Sequence, residues 1–571
     1  MYLYNIGFRL IIVMAVILFG TVAYADSKAI FLVKEGENRA IIVVPAETKY
    51  EAKEGENPKY PQKSLREIAE VLSEYIKKST GISLNIVSES NSVHDRPIQI
   101  HIGITEYVKK RGLEINKLDE EGFILDSMDS AKIVIAGPTS YGTEFGIYEF
   151  LERYVGVRWL MPGLEGEDVP ANISIGIPHE HIKQQPAYFS RCLSGLFTEP
   201  ERIWSRFNRM RWRISFHHNI YNVVSPVKYA ITHPEFFPLH NGNRFIPTGM
   251  DHWQPCFTAD GLVEEAVKNI CDYFEKHPNA TSYSLGVNDA SGYCECEKCR
   301  TRYPARKNTL KLDHLSDLYF EWCNKVVEGV LKKYPDKYFG CLAYSEIYDP
   351  PDHVKINERI LPFLTYDRMK WVDQEIEAQG HKTTKQWAAM CPSMGWYDYI
   401  YGSQYFLPRV YSHKMAEYYR YGYENGVRAI YAEAYPNWGG EGAKMYIALK
   451  VLWDPNQDVD VLLRDWYVRA VGPKAADDLA AHFQHWEDFW TKRMPQYKRW
   501  WSKGGQYLNF DSLTYLDNLD NNDLASSRKL LESVLKNAQT VAQKARANVF
   551  IKAFERYEVV VLTRTGHLKT Y

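Results

Sequence analysis

Acids that close short apolar runs are the first feature of this sequence with chemical content. The run 282–287 ends in Asn288-Asp289, and the run 429–432 ends in Glu433, followed by Ala434-Tyr435-Pro436-Asn437-Trp438. Other runs end in Asp398, in Tyr344-Ser345-Glu346 and in the doublet His217-His218. Hydrolysis of a glycosidic bond needs a carboxylic acid to protonate the leaving oxygen. It also needs a second carboxylate, or an acetamido group of the substrate, on the opposite face. Aromatic faces stack on pyranose rings while Tyr and Trp edges supply hydrogen bonds. The expected acid/base pair is therefore Asp289 and Glu433. The expected sugar contacts are Asn288, His217, His218, Tyr344, Trp396, Asp398, Tyr435 and Trp438. Taken singly, each acid is more simply a solvated loop carboxylate or helix cap. Glu346, just before Pro350-Pro351, reads as a residue that orders its own loop.

Asp289 leads into Cys294-Glu295-Cys296-Glu297-Lys298-Cys299. This Cys-x-Cys-x2-Cys reads as a disulfide that leaves one cysteine to pair elsewhere, for example with Cys256, or as free thiols. It also reads as three of the four ligands of a structural zinc ion, with a redox-active pair as the remaining option. None of these residues is assigned as a metal ligand, and no cofactor is expected. In every case the role is to pin the loop that carries Asp289. The nine cysteines form an odd set, which in an exported chain leaves a thiol unpaired or a metal bound. Cys323, on an apolar helical face with Leu315, Tyr319 and Val330, is expected to be a buried core thiol.

The elements that must position these groups follow from periodicity. Between about 186 and 455, short apolar runs at 214–218, 282–287, 338–344, 360–366, 395–399 and 429–433 alternate with amphipathic helices such as 314–334. That alternation predicts a parallel sheet with crossover helices. At this length the expected closure is a (β/α)8 barrel of the TIM type, whose catalytic groups sit at the C-terminal strand ends. Residues 26–180 predict a small α+β domain. In it Ser64 and Glu67 form a capping box, Leu65, Ile68, Ala69, Leu72 and Ile76 repeat at helical spacing, and Gly81 stops the helix. Strands are expected at 82–87, 98–102 and 132–136, and a second helix over 141–154. Residues 456–571 predict a helical extension, in which Leu530, Leu531, Val534, Leu535, Ala538 and Val541 mark one long helix.

Composition bounds the function classes. The chain has 571 residues with 45% hydrophobic content, enough for two or three cored domains. Lys and Arg number 69 against 71 Asp and Glu, so charge gives no reason to expect nucleic acid or an anionic membrane as partner. The 41 tyrosines and 15 tryptophans fit large aromatic cores and sugar stacking alike. At the N-terminus, Arg9, an apolar run and Ala23-Tyr24-Ala25 predict a signal peptide cut after about Ala25. The run is shorter than the roughly 20 residues a membrane span needs, so a periplasmic or secreted protein without membrane insertion is expected.

Gly142-x3-Gly146-x-Tyr148-x-Phe150-Leu151, then Gly156-Val157-Arg158-Trp159 and Pro162-Gly163, resemble the N-terminal domain that precedes the barrels of α-glucuronidases and β-hexosaminidases. Gly286-Val287-Asn288-Asp289 with Cys294, Cys296 and Cys299, Leu342-Ala343-Tyr344 with Pro350-Pro351, and Leu452-Trp453-Asp454-Pro455 resemble the bacterial family known as domain of unknown function 4838. The resemblance runs over about 30–480 and implies a glycosidase-like barrel behind an α-glucuronidase-like domain. It implies no particular substrate. Substrate-assisted hexosaminidases carry two adjacent acids after one strand, where this chain has Asn288-Asp289, and that departure favours acids drawn from different strands. The expected activity is hydrolysis of a complex or acidic polysaccharide or oligosaccharide. The alternatives are a substrate-assisted N-acetylhexosaminidase with Asp289 as the helper acid, and a non-catalytic glycan-binding protein on the same scaffold.

Overall fold

The computed structural model describes residues 29–46, 61–91, 97–249 and 252–565. The expected signal segment lies outside the described residues. The described chain forms two compact units. One contains Lys63–Val157 and Val169–Gln184 with the strands before them, and the other contains Arg158–Asp168 and everything from Gln185 on.

The first unit is built on a six-stranded mixed sheet of β1 (Ala40–Val44), β2 (Ile86–Ser88), β3 (Ile98–Ile102), β4 (Phe123–Asp126), β5 (Lys132–Ala136) and β6 (His181–Gln184), in the order β6-β4-β5-β3-β1-β2. Its first helix, Leu65–Thr80, starts on the expected capping box: the Ser64 hydroxyl accepts from Glu67 N, and Ser64 N donates to the Glu67 carboxylate. Gly81, left-handed at φ 79°, ends it. The strand expected over 82–87 is shorter and later, limited to β2. The helix Ser140–Phe150 explains the Gly142-x3-Gly146 spacing. A Cβ on Gly142 would lie 2.2 Å from the Gly122 carbonyl oxygen, and one on Gly146 would meet Phe123 and Ile135, so the helix rests directly on the sheet.

The second unit is built on a six-stranded, all-parallel sheet: β7 (Ser190–Leu193), β8 (Ser282–Ser284), β9 (Tyr338–Ala343), β10 (Ile360–Thr365), β11 (Met394–Tyr399) and β12 (Val427–Glu433), in the order β7-β12-β11-β10-β9-β8. The sheet is strongly curled. Cys192 from one edge strand shares a core with Leu361 and Phe363 of β10 and with Ala429 and Tyr431 of β12. Phe216 stacks on Phe363 with ring centroids 3.8 Å apart.

The run 214–218, expected to be a strand, crosses the gap between the two edge strands without forming a ladder. The segment 211–218 makes isolated bridges, Arg211 with Arg191, antiparallel, and His218 with Gly286, parallel. Backbone polar groups must still find partners, and serine hydroxyls on the flanking strands supply them. Arg213 N donates to Ser190 Oγ at 3.0 Å, Ser215 N donates to Ser282 Oγ at 2.9 Å, and Ser284 Oγ donates to the His217 carbonyl. Glycine admits the segment: a Cβ on Gly286 or Gly340 would each come within 2.4 Å of its carbonyl oxygens. What the structure shows is thus a curled, parallel, half-barrel α/β sheet of six strands, and neither a seventh nor an eighth regular strand joins it among the described residues.

Helices pack on the outside, among them Ser316–Leu331, in which Cys323 is fully buried. From Val459 on the chain is helical and stays within the same compact unit as the sheet. The single long helix expected around 530–541 is two helices, Asn521–Asn537 and Val541–Thr565. Ala538 turns extended at ψ 130°, and Thr540 with Gln543 opens a second capping pair: Gln543 N donates to Thr540 Oγ1, and Thr540 N donates to the Gln543 side chain.

Candidate functional site

Strand side chains alternate between faces, so each strand sends every second residue into the curl. On β12 the inward row Ala429, Tyr431 continues to Glu433. On β11 the row is Gly395, Tyr397, Tyr399, and on β9 Leu342 leads to Tyr344. These rows end at the C-terminal mouth of the sheet. Glu433 sits there half-buried and takes hydrogen bonds from the hydroxyls of Tyr397 and Tyr401, one to each carboxylate oxygen. Burial pushes the Glu433 carboxyl above its ordinary range. The Tyr397 hydrogen bond pulls it back down, and the negative charge of Asp289 raises it further.

Asp289 is therefore close enough to act electrostatically on Glu433. It is the open member of the pair, with 63% of its side chain exposed. Tyr344 donates to its Oδ1 at 3.0 Å, and His218 Nε2 lies 3.8 Å from the same oxygen. The loop beneath it is tied down from inside. Gln254 accepts from Asn288 N and donates to the carbonyls of Asn288 and Ala290, and Ser291 donates to the buried carboxylate of Glu346. Glu346 thus holds the Asp289 loop.

Aromatic rings wall the mouth. His217 lies 4.6 Å from Tyr431 and 5.2 Å from Trp212. Burial, then the neighbouring His218, lowers its pKa to about 4, so it is neutral at ordinary pH. Tyr399 packs 5.4 Å from Tyr507, and Tyr401 packs 5.9 Å from Tyr435 and 4.7 Å from Phe510. Burial raises the phenols of Tyr344, Tyr397 and Tyr399, reinforced by Asp289 at the first and Glu433 at the other two, so all three stay protonated donors. Tyr435 adopts φ +40°, unusual for a bulky residue. A Cβ on Gly195 would lie 2.6 Å from the Tyr435 Cα, so glycine there admits the kink.

Of the ten residues expected in the site, the structure brings Asp289, Glu433, His217, His218, Tyr344 and Tyr435 to this mouth. Asn288 is a correction. It is fully buried, its Oδ1 accepts from Tyr221 N, and its Nδ2 donates to the Trp253 carbonyl, so its amide is enclosed within the protein and does not face the mouth. Trp396 and Asp398 are corrections of another kind. They occupy the outer face of β11, one residue out of phase with Tyr397 and Tyr399. Trp396 is buried against the Arg368 guanidinium, 3.9 Å from its ring centroid. Asp398 is buried and accepts from the Tyr418 and Tyr419 hydroxyls and from the backbone of Arg368 and Tyr399. Trp438 forms an edge-to-face pair with Trp204 and donates its indole N–H to Glu201, so that N–H is already used. Tyr397, Tyr399, Tyr401 and Tyr507 were missing from the expected set. The first three were visible as the i, i+2 row of Tyr397-Asp398-Tyr399-Ile400-Tyr401. Nothing in the sequence near Tyr507 points to the mouth.

Two solved structures share this architecture. A family GH115 4-O-methyl-α-glucuronidase with specificity for decorated arabinogalactans matches with a TM-score of 0.56 at 14% identity, over 94% of this chain and 74% of its own. A Clostridium perfringens GH89 protein, solved with its substrate GlcNAc-α-1,4-galactose, matches with a TM-score of 0.51 at 9% identity, over 88% of this chain and 61% of its own. The present chain thus spans about three-fifths of that second protein. At these identities the likeness is one of fold. No curated protein sequence matches the chain. The family model described as "Domain of unknown function (DUF4838)" matches residues 161–484, more than half the chain and nearly all of the curled sheet with its mouth, and the protein belongs to that family.

Proposed function

We propose that this protein is an exported glycoside hydrolase acting on a complex or acidic polysaccharide or oligosaccharide, with Glu433 as general acid and Asp289 as the opposing base or nucleophile. One observation carries the reading: two carboxylates from different strands face one aromatic mouth in opposite environments. The half-buried Glu433 is held toward its protonated form, as a proton donor to a leaving oxygen must be. The open Asp289 meets water and substrate. Tyr344, Tyr399, Tyr401, Tyr435 and Tyr507 supply ring faces and hydroxyls for sugar. The solved structures of similar fold support this, since one is a 4-O-methyl-α-glucuronidase and the other was solved with its substrate GlcNAc-α-1,4-galactose. The scaffold is read as a (β/α)8-type barrel in reduced form, with 211–218 standing in for one strand. Export rests on the Ala23-x-Ala25 pattern, and the proposed location is periplasmic or secreted. The substrate-assisted alternative loses support, because the Asn288 amide that would hold an acetamido group is buried inside the protein.

The test is a panel of polysaccharides and aryl glycosides, followed by kinetics of Asp289→Asn and Glu433→Gln. Both variants fold, because charge changes and shape does not. Each loses about 10²–10⁴-fold in kcat on a natural glycan. An aryl glycoside with a good leaving group restores much of the Glu433→Gln loss and little of the Asp289→Asn loss. Near wild-type turnover in both variants removes the pair. Binding of glycans with no cleavage by the wild type replaces the hydrolase with a glycan-binding protein.

A further inference from the structure

Four cysteines from two separate segments converge beside the candidate site. Cys294, Cys296 and Cys299 come from the loop after Asp289, and Cys256 comes from a segment about forty residues earlier. Their four sulfurs all lie within 4.8 Å of one another, and three of the four residues are buried. Cys256 Sγ is 3.7 Å from Cys296 Sγ and 3.8 Å from Cys299 Sγ. No cysteine among the described residues is in a disulfide.

We infer that Cys256, Cys294, Cys296 and Cys299 form a structural zinc site. A disulfide pairs sulfurs at about 2.05 Å and leaves the other two apart. A tetrahedral zinc ion with Zn–S bonds of about 2.3 Å instead sets sulfur–sulfur edges of about 3.8 Å, the separation seen from Cys256 to both partners. Cys296, at the N-cap of the short helical turn Glu297–Arg300, and Cys299, within that turn, stand at Cys-x2-Cys spacing, the usual way for one segment to supply two ligands. Four thiolates around a divalent ion leave excess negative charge, and the surroundings answer it. Leu239 N and Cys296 N donate to Cys294 Sγ at 3.2 and 3.5 Å, the Arg244 guanidinium lies 3.9 Å from the same sulfur, and the Thr258 hydroxyl lies 3.1 Å from Cys299 Sγ. This replaces the sequence expectation of no metal ligand.

The ion staples the two segments that hold the Asp289 loop. Gln254, two residues before Cys256, clamps Asn288 and Ala290, and Gln254 N donates to the carbonyl of Gly292, two residues before Cys294. The zinc is a positioning element for Asp289, remote from the bond being cleaved.

Elemental analysis and thiol titration of the purified full chain test the site without using activity. The expected result is one zinc per chain, with nine thiols titrating once the protein is denatured with chelator. Replacement by cobalt should give thiolate-to-cobalt charge transfer and the strong visible bands of tetrahedral coordination. Cys256→Ser and Cys296→Ser should each lose the metal and lower Tm, and chelator should lower Tm in the wild type but not in either variant. If a variant fails to fold, the metal content, thiol count and cobalt spectrum of the wild type decide. Metal-free protein with five titratable thiols would mean two disulfides, and metal-free protein with nine would mean free thiols; either overturns the site. Neither outcome bears on whether Asp289 and Glu433 hydrolyse a glycan.

Discussion

The two faces of one strand, β11, carry the same kinds of residue in opposite roles. Tyr397 and Tyr399 look into the mouth and, with Tyr344 and Glu433, form a polar, aromatic, partly wet rim. Trp396 and Asp398, each one position away, look outward into a dry layer beneath the helix Ser412–Glu424, where Tyr418 and Tyr419 meet the Asp398 carboxylate. Both faces hold an aromatic beside an acid. What separates them is strand parity: a shift of one residue moves a side chain from site to core. An acid after an apolar run is therefore ambiguous until its phase is known. Glu433 lies in phase with Ala429 and Tyr431, whereas Asp398 lies out of phase with Tyr397.

Breaking each face in turn sharpens the contrast. The largest effect is expected from Glu433→Gln set against Asp398→Asn. The first should lose about 10²–10⁴-fold in kcat with Tm little changed. The second should keep kcat and lose about 1–3 kcal/mol of stability, because a buried acceptor of several hydrogen bonds is weakened. Urea melts and steady-state kinetics on both proteins check this, and a kcat collapse in Asp398→Asn would place the outer acid in the chemistry after all. Trp396→Ala should cost about 3–5 kcal/mol through the cavity it leaves, with KM unchanged in whatever protein still folds. Tyr399→Phe, on the opposite face, should raise KM and hardly move the melt.

Smaller effects come from proton linkage. Tyr397 stabilises the ionised form of Glu433, so Tyr397→Phe should shift the alkaline limb of the kcat/KM profile to higher pH. A shift downward would mean that the limb belongs to another group. The smallest effect is on stability. The folded pKa of Glu433 is raised, so its contribution is fully present below the ordinary carboxyl value of 4.5 and is lost as pH rises through the folded value. Tm measured across that window should fall less steeply in Glu433→Gln than in the wild type.

Much of the second sheet was legible because its strands are short apolar runs between helices: β9, β10, β11 and β12 fall where periodicity puts them. β7 was not, since Ser190-Arg191-Cys192-Leu193 hides a buried arginine whose guanidinium hydrogen-bonds to the Tyr188 and Arg209 carbonyls and so looks nothing like a core residue in sequence. The run 214–218 misled in the other direction. Its apolar residues do fill the interior, but serine hydroxyls and glycine gaps on its neighbours take the place of a ladder. That substitution depends on residues far away in the chain.

Sequence by itself determined which acids stand at strand ends, that the chain carries a family pattern across most of its length, and that a cysteine loop follows Asp289. These are local properties, set by hydrophobic period and spacing along the backbone. Tertiary structure alone decided which of those acids share a mouth, that Asn288 is enclosed as a brace, that Tyr507 reaches the rim, and that Cys256, named from the sequence only as an example of a disulfide partner, meets all three of the other cysteines. Each of these depends on contacts between segments tens to hundreds of residues apart. No local pattern encodes such contacts, because they arise only when the curl of the sheet brings its strand ends around one axis.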